Sequence, residues 1–318
     1  MKKLYVVFPD NFDDYVPVND MIVPAILFQN AGAHVVKQTQ FFQEFVSKVK
    51  EDDLVMIYVS LQQKWREVFK NIKCVKILKN VDPAKSDGIL FKNDLLLHEE
   101  IGGFDRWFIT VASVKNLEFL KNKGIRADSF THCLDFNDMV SADDARKIKS
   151  KDVIVSGQQH EKFYPDRWRL MQYFCTQQQK YSAVYLPHPG FEISGRRHDF
   201  IGNNYVNLLL NFWTGPVGVG HADGLHMKFL EMAKAYVLPL GSIPSYMKDS
   251  AAKNACVVGL GESDDEMIKI IDDLFSDREA LWQRITDYSA TIRQSYDANI
   301  IIPEIYRSIM ENNSPNVG

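Results

Sequence analysis

Two carboxylates eight residues apart, Asp223 and Glu231, mark the stretch of this sequence with the clearest chemical potential. Around them the chain from Gly220 to Tyr246 reads as loop, helix, strand and loop. Gly218, Gly220 and Gly224 allow the first loop to bring its backbone close to a ligand. Met227, Phe229, Leu230, Met232 and Ala233 give the helix an apolar face. A helix starting at Asp223 would carry both carboxylates on roughly one side, because their spacing is little more than two turns. An acid in the loop, free amides at a helix start and a second acid further along suit a ligand with both hydroxyls and phosphates. Glu231 lies amid apolar neighbours and needs a partner if buried, for which a ribose diol is well matched. Asp223 can also serve as a helix cap.

A second site reads from Ser156-Gly157 through Gln158, Gln159, His160 and Lys162 to Tyr164-Pro165-x-Arg167. A strand that ends in glycine and enters a helix carrying basic residues suits phosphate. Lys162 and Arg167 would neutralise a diphosphate, although surface charge explains Lys162 equally well. Arg196, Arg197 and His198 form a basic patch that reads more simply as a solvated loop. Asp10, Asp13 and Asp14 follow the first strand, at the edge where parallel sheets place their ligands. Asp10 is the candidate catalytic base, with an Asp-rich turn as the plainer reading.

Asp223-x7-Glu231, followed by Met232-Ala233, Val237-Leu238-Pro239 and Gly241-Ser242-Ile243-Pro244, resembles the donor-binding segment of GT-B glycosyltransferases. In that family the pattern is Glu-x7-Glu, closing on Glu-Ala-Met-Ala, with Gly-Gly-Ile-Pro-Glu downstream. This chain differs at Asp223, one methylene shorter, and at Tyr246, where an acid is common. Tyr164-Pro165-x-Arg167 is similar to a run in some bacterial enzymes of the same fold. The resemblance extends from Val153 to near Tyr296. It implies that Glu231 binds the nucleotide ribose and that Asp223 lies near the donor sugar. The helix start at Gly224, Leu225, His226 and Met227, with Gly157 and Lys162 or Arg167, would then stabilise the diphosphate in place of a metal. The implied activity is metal-independent transfer of a sugar from a nucleotide-diphosphate sugar, UDP-sugar favoured and no other cofactor, to a glycan or other hydroxyl-bearing acceptor. A non-catalytic binding module of the same fold and a sugar-nucleotide epimerase are the alternatives.

The elements that would position these residues alternate. Strands at Leu4–Phe8, Ala33–Lys37, Leu54–Val59, Cys74–Leu78, Trp107–Val111 and Phe130–Leu134 are separated by helices at Val18–Ala31, Phe41–Lys50, Leu61–Asn71 and Val114–Lys123. That pattern predicts a parallel sheet with crossover helices. A polar connection at 137–152 precedes a second series: strands at Val153–Val155, Ala183–Leu186, Tyr236–Leu240 and Ala255–Val258, with helices at Asp166–Gln179, Glu262–Phe275 and Arg278–Ser295. The expected architecture is α/β, two Rossmann-like domains facing a cleft: 1–145 on the acceptor side, 146–296 on the donor side, and a terminal helix in 297–318 crossing back to the first. The first turn has no glycine, so the dinucleotide fingerprint is absent.

The 318 residues are 46% apolar and 12% aromatic, which indicates a globular protein of two domains. A net charge of −4 argues against a general nucleic-acid binder. Cys74, Cys133, Cys175 and Cys256 lie far apart without zinc spacing and read as reduced thiols. No apolar run reaches membrane-spanning length and the amino terminus lacks a signal peptide, so a cytoplasmic protein is expected.

Overall fold

The computed structural model describes residues 2–10, 18–58, 60–80, 92–110, 114–130, 132–157, 160–162, 164–186, 202–219, 226–242, 244 and 263–312. Asp223, Gly224, Leu225, the run Arg196-Arg197-His198, Tyr246 and the strand expected at Ala255–Val258 lie outside them. The chain divides into two compact units, Met1–Cys133 with Ala298–Gly318, and Leu134–Asp297.

The first unit holds β1 (Leu4–Phe8), β2 (His34–Lys37), β3 (Leu54–Tyr58), β4 (Val75–Asn80), β5 (Arg106–Ile109) and β6 (Ala127–Ser129). They pair in parallel in the order β2-β1-β3-β4-β5-β6. β1 and β3 are buried at every position, as expected of apolar strands covered on both faces. Tyr5, Val7, Val55, Ile57 and Trp107 fill one face. Leu4, Val6, Phe8, Met56 and Phe108 fill the other, following the period of two along each strand. The connecting helices are α1 (Val18–Asn30), α2 (Gln38–Gln40), α3 (Gln63–Asn71), α4 (Lys92–Glu100) and α5 (Val114–Asn122).

Two local readings change here. The helix expected over Phe41–Lys50 is a π turn at Phe41–Phe45 followed by a 3-10 turn at Val46–Lys48. Adjacent Phe41 and Phe42 are both buried, and the widened turn points both inward, with Phe42 stacked on Trp65 at 4.9 Å. The strand expected at Phe130–Leu134 lies earlier, in β6. Phe130 drops beneath the sheet instead, with its ring centroid 6.1 Å from Phe108 and 6.3 Å from Phe28.

The second unit contains α6 (Ala142–Ile148), β7 (Lys151–Ser156), α7 (Pro165–Thr176), β8 (Ala183–Leu186), α8 (Gly202–Leu209), β9 (Phe212–Pro216), α9 (Met227–Lys234), β10 (Leu238–Leu240), α10 (Asp264–Ser276) and α11 (Arg278–Tyr296). Its parallel sheet runs β10-β9-β7-β8. The chain places β8 on one side of β7 and β9 on the other, so the order reverses between β7 and β9. Such a reversal opens a crevice at the carboxyl ends of the two strands. A capping box opens α10: Ser263 Oγ accepts from Glu266 N, and Glu266 accepts from Ser263 N.

β9 is a strand that the alternation read from the sequence does not include. Gly215-Pro216 has turn composition, yet Gly215 serves packing. A Cβ there would lie 2.6 Å from Met232 Cε and 2.9 Å from the Ile154 carbonyl oxygen, so α9 can press directly onto the strand. The last helix, α12 (Ala298–Asn312), returns to the first unit. It buries Ala298, Ile302 and Ile309 in the cluster that holds Met21, Ala25 and Phe28 of α1. Among the described residues no helix is long and apolar enough to cross a membrane.

Candidate functional site

The site is built where β7 ends. Ser156 closes the strand and Gly157 turns the chain with φ +85°, a conformation that favours glycine. Pro165 occupies the start of α7, where its missing N–H costs nothing, and so sets Arg167 in the first turn. Arg167 is buried, with its guanidinium carbon 4.3 Å from the Tyr164 ring centroid. α9 starts at Met227 after an extended His226 (φ −92°, ψ 153°). Its second residue, Lys228, is buried and donates from Nζ to the Ser156 carbonyl. Three chain segments therefore meet at Gly157. A Cβ on this glycine would lie 3.1 Å from Arg167 Nη1 and 3.4 Å from Lys228 Nζ.

Two cations that close are costly without a counter-charge. Like charges brought together in a buried site repel more strongly than in water. Burial pushes the Lys228 ammonium well below the usual lysine range, the Arg167 charge pushes it further, and Glu231 works against both. Burial also lowers Arg167, opposed by Tyr164 and Tyr205. Tyr205, from α8, shares a 2.6 Å hydrogen bond between its hydroxyl and Ser156 Oγ. Burial and then Glu231 push its phenol up. Glu231, one turn after Lys228 on α9, thus lies within the electrostatic reach of Lys228 and Tyr205. A multiply charged anion at Gly157 would meet a fork of guanidinium donors, an ammonium and the first-turn amides of α9.

The surrounding loops are fixed by backbone contacts. Gly241 has φ +136°, and a Cβ there would fall 1.8 Å from the Val217 carbonyl oxygen. No other residue fits this approach, which lets Val217 N donate to the Leu240 carbonyl at 2.8 Å. Ser242 N donates to Asp166 Oδ2 at 2.9 Å, tying the end of β10 to the start of α7. His226 Nε2 lies 2.9 Å from the Val219 carbonyl oxygen, which holds the start of α9 against the segment after β9.

Of the residues expected from sequence, Gly157, Arg167, His226, Met227 and Glu231 share this neighbourhood. Lys162 is exposed and stands outside the cluster. Asp223, Gly224 and Leu225 lie outside the described residues. α9 begins at Met227 after an extended His226, which puts Glu231 in its second turn. Lys228 was missed. Its signal is a lysine three residues before Glu231 with Met227, Phe229 and Leu230 around it, a spacing that puts both on one face.

Asp10 lies in the other unit, where the carboxyl ends of β1, β2 and β3 converge. Its Oδ1 accepts from Thr39 N at 2.7 Å, and its Oδ2 from Thr39 Oγ1 at 2.7 Å and Gln62 Nε2 at 2.9 Å. Burial works to raise its pKa, but the Thr39 and Gln62 hydrogen bonds and the Lys64 charge together hold it below the usual value. A carboxylate held in this way is a strong anchor and a weak base.

Solved structures with the same architecture span the whole chain. HepE from Anabaena in complex with UDP aligns with TM-score 0.61 at 11% identity, covering 96% of this chain and 99% of that one. The fold is GT-B. A UDP-forming α,α-trehalose-phosphate synthase from Burkholderia xenovorans aligns with TM-score 0.62 at 10% identity, covering 98% and 99%. An α-glucosyltransferase in complex with UDP and a 13-mer DNA aligns with TM-score 0.59 at 12% identity, covering 98% and 100%. No protein-family model matches the sequence, and no curated protein matches it. In this GT-B chain the Arg167–Lys228 cluster belongs to the second of the two Rossmann-like units.

Proposed function

We propose that this protein is a glycosyltransferase that moves a sugar from a nucleotide-diphosphate donor, UDP-sugar favoured, to a hydroxyl-bearing acceptor without a metal ion. The observation that carries the reading is the convergence of Arg167 and Lys228 on Gly157 at the carboxyl end of β7, one helical turn from Glu231. The likeness to proteins solved with UDP supports it. As the bond from the anomeric carbon to the diphosphate oxygen breaks, negative charge grows on the diphosphate. Arg167, Lys228 and the amides at Met227 and Lys228 stabilise that charge in fixed positions, the task a divalent cation performs elsewhere. Glu231 accepts hydrogen bonds from the ribose hydroxyls, and Asp223 with Gly224 and Leu225 borders the sugar. The first unit takes the acceptor, with Asp10 fixing its loops. A cytoplasmic location fits the free thiols Cys74, Cys133 and Cys175.

Incubation with UDP-glucose, GDP-glucose and ADP-glucose in EDTA tests the reading. Slow release of free sugar and nucleoside diphosphate is expected for one of them. An isomerised sugar nucleotide would point to an epimerase. Binding without any turnover, with acceptors supplied, would leave a binding module, and activity that needs added magnesium or manganese would overturn the charge assignment.

A further inference from the structure

Arg167 and Lys228 pose a charge problem that the free protein must solve. Both side chains are buried, and both nitrogens fall within 3.4 Å of the point where a Cβ on Gly157 would sit. The guanidinium cannot release its proton in a protein. An amine can, and a buried lysine is the side chain that most readily does so. We propose that the nucleotide-sugar diphosphate and one proton bind this site together, Lys228 being the neutral amine in the free protein and the ammonium in the complex. The inference rests on the assignment of the diphosphate to this cluster.

The groups that face Lys228 support it. Arg167 from α7 adds positive charge, and Tyr164 precedes that helix. Tyr205 from α8 keeps its proton, because burial and Glu231 both oppose its loss. On α9 itself Glu231 is the opposing carboxylate and His226 the neighbouring imidazole, while Asp166 is engaged by Ser242 N. Burial and then Arg167 depress the Lys228 ammonium, and among the described residues Glu231 raises it. The Ser156 carbonyl holds the amine in place in either state. A diphosphate arriving beside Nζ reverses the balance, since an adjacent anion favours the charged form. The sign follows. Below the free-state pKa Lys228 is already charged and binding takes up no proton. Between the free-state and the higher bound-state value, binding draws a proton from solvent and affinity falls about tenfold per pH unit.

The experiment is titration calorimetry of the full chain with UDP-glucose, in paired buffers of different ionisation enthalpy, at several values from about pH 6 to about pH 9.5. UDP-glucose is used because UDP has a terminal phosphate that itself titrates near about 6. The expected result is uptake that rises with pH towards one proton per UDP-glucose, with affinity falling in the same window. Lys228→Arg, whose charge is permanent, should bind with no uptake. Binding without uptake at any pH would overturn the proton linkage and leave the site assignment standing. Uptake that persists in Lys228→Arg would also overturn it, because another group would carry the proton. If UDP-glucose, GDP-glucose and ADP-glucose all fail to bind, the assignment of the site falls and the linkage with it.

Discussion

The carboxyl ends of β1 and β7 occupy equivalent places in two parallel sheets, each where the strand order reverses, and each gathers polar side chains. They differ in the charges those side chains carry. At β1 the Asp10 carboxylate is met by three donors from Thr39 and Gln62, and Gln62 N in turn donates to Gln38 Oε1 at 3.1 Å. At β7 Arg167 and Lys228 are brought together by β7, α7 and α9, and the charge of Glu231 acts on Lys228 against burial and Arg167. The first arrangement is finished by its own chain and holds loops in place. The second gathers two buried basic groups of like sign, the arrangement on which the proposed diphosphate site rests. Burial alone does not distinguish them; the sign and number of the charges do.

The largest test of this contrast is removal of the cations. Arg167→Ala or Lys228→Met should weaken UDP-glucose binding by roughly a hundredfold, since each deletes charge-assisted hydrogen bonds worth about 1.5–3 kcal/mol. Calorimetry at low salt would measure it, with circular dichroism confirming the fold. Asp10→Asn should bind UDP-glucose like the parent, and a loss of donor affinity in that variant comparable to that in Arg167→Ala would erase the distinction between the two strand ends. Glu231→Gln comes next, with a loss of about ten- to a hundredfold. Glu231→Gln and 2′-deoxy-UDP form a double-mutant cycle. If the carboxylate holds the ribose, the two losses are less than additive; simple addition separates Glu231 from the ribose.

Two carboxyls of the first unit sharpen the comparison through pH. Asp94, in the first turn of α4, receives a hydrogen bond from Asn80 at the end of β4, yet burial pushes its pKa up to about 6. A carboxyl whose pKa is raised by folding keeps a proton that the unfolded chain releases. Its contribution therefore falls as pH rises from the unfolded value near about 4 through the folded value. Asp94→Asn should raise stability at neutral pH by about 1–3 kcal/mol and flatten this limb of the stability profile. Asp10 has the opposite sign: its contribution is present above the unfolded value and fades on acidification through its lower folded value. Asp10→Asn should cost about 1 kcal/mol, a fall of about 2–4 °C in the melting temperature. Chemical denaturation of both variants across the acid range would read the two slopes, and slopes of the same sign would contradict the assigned environments. The smallest effect belongs to Lys162→Ala, which should change donor affinity less than about threefold, as expected for an exposed charge.

The strand and helix alternation made both sheets legible, because buried parallel strands such as Leu4–Phe8 and Leu54–Tyr58 are continuous apolar runs. β9 was not legible. Its Gly215-Pro216 obeys the packing of Met232 against the strand, a contact distant in sequence that local composition cannot reveal. α4 was hidden because Leu95, Leu96 and Leu97 are consecutive, and the helix buries Leu97 while leaving Leu96 exposed. At the candidate site Arg167 was readable from its place after Pro165, and Glu231 from its apolar setting. Lys228 was not, because lysines are ordinarily solvent-facing and its target, the Ser156 carbonyl, lies on a strand 72 positions earlier.

The return of α12 to the first unit has a consequence for how the molecule is made. Leu134 N donates to the Tyr296 carbonyl at 3.1 Å, and Leu134 bridges Asp297, so the chain's exit from the first unit and its return lie side by side. The second unit is a single uninterrupted segment and can complete itself while translation continues. The first is assembled from two separated pieces. Its β1–β6 sheet emerges early, but the groove over Met21, Ala25 and Phe28 stays open until Ala298, Ile302 and Ile309 arrive. Contacts of that sequence separation are slow to form. The nascent first unit therefore waits, with an apolar flank uncovered, for α12 to leave the ribosome.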